Sequence, residues 1–97
     1  MNFYGEPAKR WRGLKYRPSV LVYMEILTIL TEGPQGPTKL SRRANISYDR
    51  LPAYTEGLLQ KGAIRKDSRE GHDEYALTAE GAEALSDLQK GLRRLPL

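Results

Sequence analysis

Residues 43–65 read RANISYDRLPAYTEGLLQKGAIR, and the rest of the chain can be placed relative to them. Asn45 suits a tight turn, because asparagine tolerates left-handed backbone better than most residues. Ile46 is an apolar plug between polar neighbours. Ser47 is expected to cap a helix, its hydroxyl accepting one of the orphan amide donors at the helix start. Asp49 then puts negative charge in the first turn, where the helix dipole favours it. Leu51, Leu58 and Leu59 fall on one helical face, with Tyr54 beside them. Gly62 stands where glycine is enriched after a helix end, and Ala63 and Ile64 begin an extended segment. The other face carries Tyr48, Arg50, Ala53, Gln60 and Lys61 and is not needed by a core. Pro52 has no amide hydrogen to return to Tyr48. The helix therefore opens with a loose or widened turn, or begins later than Ser47.

Upstream, Thr38 is expected to cap a short helix from Lys39 to Ala44, with Leu40 and Ala44 turned inward. Lys39, Arg42 and Arg43 then face outward, placed to contact phosphates. Two such helices joined at Asn45 make a helix-turn-helix, and a second helix with a spare face is what major-groove reading uses. Residues 33–37, GPQGP, form a loop. Before it, Pro18 and Ser19 start a helix that runs to about Thr31. Only Glu25, Thr28 and Glu32 make a polar stripe on it. Such a wide apolar face fits either a buried central helix or contact with a second copy of the chain. Residues 1–17 have no helical or alternating period. They read as a flexible or loosely docked basic arm carrying Lys9, Arg10, Arg12, Lys15 and Arg17. Trp11 in that arm could stack on a nucleotide or pin the arm to the domain.

Downstream, residues 64–66 and 74–77 read as short strands around a polar turn, a hairpin following the second helix. Arg65, Lys66 and Arg69 could reach a phosphate backbone. Asp67, Glu70, Asp73 and Glu74 leave the hairpin close to neutral, so it should make one or two such contacts at most. Thr78 can cap a last helix, residues 79–94, with Glu80 in its first turn. Leu85, Leu88, Leu92 and Leu95 follow the 3-4-3 spacing of a coiled-coil seam. They serve either dimerisation or folding back on the same domain. The fold class expected is α+β and mostly helical: a winged helix-turn-helix with an extra C-terminal helix, spanning residues 18–95.

Composition bounds the function. Ninety-seven residues make one domain. The absence of cysteine excludes disulfides and thiolate metal sites. The single histidine, His72, lies beside Asp73 and Glu74 and reads as a solvated loop residue rather than a metal ligand. The net charge of +4 is unevenly spread. Residues 1–17 hold five basic side chains against Glu6, and residues 38–50 hold four against Asp49. Such clustering is the footprint of a polyanion partner. The longest apolar run contains Glu25 and is about half of the roughly 20 residues a membrane span needs. No secretory signal is legible, and a cytoplasmic, nucleoid-associated protein is expected. No phosphate loop, metal spacing or nucleophile with a base points to an enzyme, and no cofactor is implied.

The stretches ANISYDRLPAYTEGLLQKGAI and YALTAEG resemble the small archaeal winged-helix proteins, including the 10a-type chromosomal proteins. The leucine-threonine-x-x-glycine step at residues 77–81 is similar, more distantly, to that of MarR-like and PadR-like repressors. The resemblance implies a homodimer on duplex DNA, with the second helix of the pair in a major groove and the wings beside it. It maps Ser47, Tyr48, Arg50 and Ala53 to groove-facing positions. The function expected is duplex DNA binding, as a transcriptional regulator or an architectural chromosomal protein. The alternative is a winged-helix protein-protein module in a larger assembly.

Overall fold

The structure, a computed structural model, describes residues 19–96. Residues 1–18 and Leu97 lie outside the described residues, and with them the expected arm and its Lys9, Arg10, Arg12, Lys15 and Arg17. Helix α1 (Ser19–Leu30) buries Val22, Ile26, Ile29 and Leu30, with Leu27 beside them. These recur three, four and seven apart, so one continuous apolar face meets the rest of the domain. The last turn tightens, with the Glu32 and Gly33 amides donating to Ile29 and Leu30. Gly33 then turns the chain at φ 131°.

The loop that follows adds a rung to the hairpin, since Gln35 and Tyr75 exchange backbone bonds of 3.0 and 2.8 Å. Helix α2 (Pro37–Ala44) begins one residue before the expected cap. Gly36 is its N-cap and Pro37 its first residue, where a missing amide costs nothing. Thr38 is therefore inside the helix, and its carbonyl accepts from the Ser41 hydroxyl at 2.8 Å. Asn45 closes α2 in the left-handed region (φ 56°, ψ 46°) as its side-chain chemistry predicts. The Ile46 amide reaches back to the Ser41 carbonyl at 2.9 Å, and the Ile46 side chain packs against the core.

Helix α3 (Leu51–Gln60) starts later than Ser47, and Ser47 makes no cap. Its carbonyl accepts from the Arg50 and Leu51 amides at 3.0 and 3.1 Å, a separate turn that leads into the helix. Pro52 explains the break: the bond from residue 52 to Tyr48 that would join turn and helix has no donor. Leu51, Thr55 and Leu58 are the buried residues of α3. Tyr54 meets Tyr23 of α1 edge-on, with ring centroids 5.8 Å apart. Gly62 ends the helix at φ 74°, with the Ala63 amide bonded to Leu58 and the Gly62 amide to Leu59.

Strands β1 (Ile64–Arg69) and β2 (His72–Leu77) pair antiparallel, from Ile64 opposite Leu77 to Arg69 opposite His72. They are longer than the sequence pattern suggests. The connection is only Glu70-Gly71, both at positive φ, a two-residue turn whose twist suits the strands. Beyond Lys66 the hairpin projects from the body and neither face is buried, so the strand carries no apolar alternation to betray it. Helix α4 (Ala79–Arg93) is capped by Thr78, whose hydroxyl accepts from the Gly81 amide at 3.0 Å. The same hydroxyl donates to the Gly62 carbonyl, and the Thr78 amide donates to the Ala63 carbonyl. Gly81 lies so close that an added Cβ would stand 1.9 Å from the Ala63 oxygen.

Leu85 belongs to this chain's own core, 5% exposed against α1. It is therefore not available to a seam between chains, and the 3-4-3 series is divided. Leu88 and Leu92 are half-buried, and Leu95 is 53% exposed just past the helix end.

At the end of α1, Arg43 of α2 donates to the Glu32 carboxylate at 2.8 Å. This bond, and the guanidinium charge behind it, hold the Glu32 carboxyl below the usual carboxylate range.

Gly81→Ala should destabilise the domain by about 1–3 kcal/mol, because backbone rather than a flexible side chain must give way. Gly91→Ala, facing open space within α4, should instead stabilise it by about 1 kcal/mol. Urea unfolding of both variants should give shifts of opposite sign. In a carboxyl NMR titration, Glu32 should titrate below an ordinary glutamate and return to that range in Arg43→Gln. Its folded value is the depressed one, so its contribution is present above the unfolded value and is lost as pH falls through the folded one.

Candidate nucleic-acid interface

The exposed surface of α2, the 47–50 turn and α3 forms one side of the domain. Lys39 and Arg42 are exposed there, and neither makes an ion pair among the described residues. Arg43 lies beside them but is held by Glu32, so its charge is partly offset. Ser47, Tyr48 and Arg50 are exposed in the turn, Tyr48 at 59%. Together with Ala53 these are the groove-facing positions named from sequence, and all lie on one side of α3 or its lead-in turn.

The face of α3 itself is set by its buried side. With Leu51, Thr55 and Leu58 inward and about 100° between residues, Pro52, Ala53, Glu56 and Gln60 make the outward arc, and all four are exposed. Glu56 stands in the middle of that arc. Sequence reasoning passed over it. The signal that finds it is the helical phase counted from Leu51 rather than from Tyr48, which belongs to a separate turn.

The wing stands next to this surface. Between the start of α3 and the root of the wing is a cleft of about 150 Å3 lined by Tyr48, Leu51, Pro52, Lys66, Asp73 and Tyr75. Arg65 bonds Asp67 at 3.1 Å, and Lys66 lies 3.5 Å from Asp73. Ser68 donates to Asp73 at 2.6 Å and, with the Lys66 charge, keeps that carboxyl below its ordinary range. Arg69, near the wing tip, is exposed and makes no ion pair among the described residues. The wing thus offers one uncommitted cation. Its two ion pairs are solvent-exposed and cost little to exchange for phosphates.

Elsewhere on the domain, α1 and α4 bound an apolar groove of about 390 Å3, lined by Val20, Leu21, Met24, Leu88, Leu92 and Leu95, with Gly91 and Asp87. The spare apolar residues of the first and last helices, separate in sequence, share this one surface. Among the described residues, no group of three or more His, Cys, Asp or Glu is placed to hold a metal ion. No helix there is long and apolar enough to cross a membrane.

Several solved structures share the fold. Sso10a-2, a DNA-binding protein from Sulfolobus solfataricus, superposes with a TM-score of 0.71 at 21% identity, over 79% of this chain and 80% of that one. The transcriptional regulator BldR of the same organism gives 0.70 at 17% identity, over 95% and 66%. The homodimeric winged helix-turn-helix DNA-binding domain of Mb0332 from Mycobacterium bovis gives 0.66 at 15%, over 74% and 68%. No curated protein matches the chain significantly in sequence. The sequence model of the winged helix-turn-helix family matches residues 16–95, nearly the whole chain. With the two-helix turn at Asn45, the exposed face of α3 and the hairpin beside it, this chain belongs to the winged helix-turn-helix family.

Proposed function

We propose that the chain binds duplex DNA as a homodimer, acting as a transcriptional regulator or an architectural protein of the chromosome. The observation that carries this reading is the exposed outward arc of α3, with the root of the wing beside its start and Lys39 and Arg42 exposed on α2. A helix of this kind enters a major groove while its neighbours contact phosphates. Tyr48, Arg50 and Ala53 then lie at the groove, Ser47 at its edge, and Arg69 near the flanking backbone. Arg65 and Lys66 join only by exchanging their carboxylate partners for phosphates.

Charge supports the same reading and assigns shares within it. The five basic residues of the first seventeen, set against Glu6, account for the whole net charge of +4, so the rest of the chain is formally neutral. Phosphate neutralisation releases condensed counterions and gives affinity in proportion to the contacts made. Lys9, Arg10, Arg12, Lys15 and Arg17 are therefore the main source of affinity, and the neutral domain supplies position. The dimer forms through the groove between α1 and α4, where Leu88, Leu92 and Leu95 meet Val20, Leu21 and Met24. A chain that binds chromosomal duplex works in the cytoplasm with the nucleoid.

In fluorescence-anisotropy titrations with a random-sequence duplex of about 20 base pairs, log affinity should fall linearly with log salt at a slope of several units. Arg42→Ala should reduce that slope by about one unit, and removal of residues 1–15 should reduce it further. An absence of binding at low salt would reject the reading in favour of a protein-docking module. Competition by unrelated duplexes separates regulator from architectural protein. Leu92→Glu should convert a two-chain mass to a one-chain mass by light scattering while the helical circular dichroism persists; an unchanged mass would place the interface elsewhere.

A further inference from the structure

We infer that Glu56 is the base-discriminating residue of α3, selecting a cytosine in the major groove by accepting a hydrogen bond from its exocyclic amine. The inference rests on the duplex-binding reading and adds to it a specificity that neither the fold nor the charge supplies. Three observations carry it. Glu56 lies at the centre of the outward arc, between Pro52, Ala53 and Gln60, so it is the residue that a groove-seated α3 aims at the base edges. Pro52 and Ala53 present only carbon, which limits them to contacts such as a thymine methyl. In the first two turns of α3 the Glu56 carboxylate is the one exposed side chain able to hydrogen-bond. Glu56 makes no ion pair among the described residues, so no neighbour explains its charge as a structural partner.

The chemistry narrows the choice of base. An ionised carboxylate only accepts. In the major groove guanine shows two acceptors and thymine an acceptor and a methyl, so both repel it or leave it unpaired. Adenine offers a donor but sets its N7 acceptor beside it, against the second carboxylate oxygen. Cytosine presents its N4 amine with no acceptor on its own edge. The same negative charge lowers affinity for every wrong sequence, because it faces a polyanion without a compensating bond. A carboxylate here therefore favours discrimination over affinity, in keeping with a neutral domain that takes its affinity from residues 1–17.

The test is selection from a pool of duplexes with a randomised core, using the full chain with Glu56 and its Glu56→Ala and Glu56→Gln variants. The native chain should enrich a site with one fixed cytosine in each half-site. Glu56→Ala should lose about tenfold of the preference at that position alone and should bind the unselected pool at least as well as the native chain. Glu56→Gln should move the preference toward adenine, whose N6 and N7 a carboxamide matches. Circular dichroism should show both variants folded, since the position is exposed and alanine favours helix. A Glu56→Ala protein that keeps the cytosine overturns the inference, as does a native chain that binds duplexes without enriching any base. Both outcomes leave the duplex-binding reading intact. Failure of the native chain to bind any duplex at low salt overturns that reading as well.

Discussion

Thr78 is the residue on which the arrangement of elements depends. Its hydroxyl caps α4 through the Gly81 amide and donates to the carbonyl of Gly62 at the end of α3, while its own amide donates to Ala63. The end of α3, the end of the wing and the start of the last helix thus meet at one side chain. Gly81 makes the meeting possible, because any side chain there would overlap the Ala63 carbonyl. Gly62, in left-handed backbone, turns the chain out of α3 so that its carbonyl can be reached. The hydrogen bonds of this junction tie the end of α3 to the root of the wing with a direction that hydrophobic burial does not supply.

The domain separates its tasks by face. Apolar residues of α1 and α4 form a groove on one side, and the polar arc of α3 with the α2 cations lies on another. Cation supply on the interface side is sparing. Arg43, Arg65 and Lys66 each pair with a carboxylate, Lys39 acts on Glu32 only from a distance, and Arg42 and Arg69 make no ion pair among the described residues. A surface so nearly balanced cannot hold a polyanion by charge alone. The formal +4 of the chain lies wholly in its first seventeen residues, and residues 18–97 are formally neutral.

Much of this was legible in the sequence where a residue type has one physical use. Asn45, Gly62 and Thr78 announced a left-handed turn, a helix stop and a cap, and each occupies that role. Ser47 and Thr38 carry the same capping chemistry and are not caps, because Pro52 and Pro37 reset the helix starts around them. The outer wing was hidden for a different reason: its strands are solvated on both faces, so register rests on a two-residue turn rather than on an apolar alternation. Leu85 looked equivalent to Leu88, Leu92 and Leu95, since spacing reports a helical face and not what covers it.

The sequence by itself determined the order of elements, the family and the placement of charge, because periodicity, turn chemistry and ionisable residues act locally. Tertiary structure decided which equivalent-looking residues were free. It took Leu85 into the core, tied Arg43 to Glu32, joined the apolar remnants of α1 and α4 into one groove and set Glu56 at the centre of the open face of α3. Those outcomes depend on how elements distant in the chain pack against each other, and local pattern carries no record of that packing.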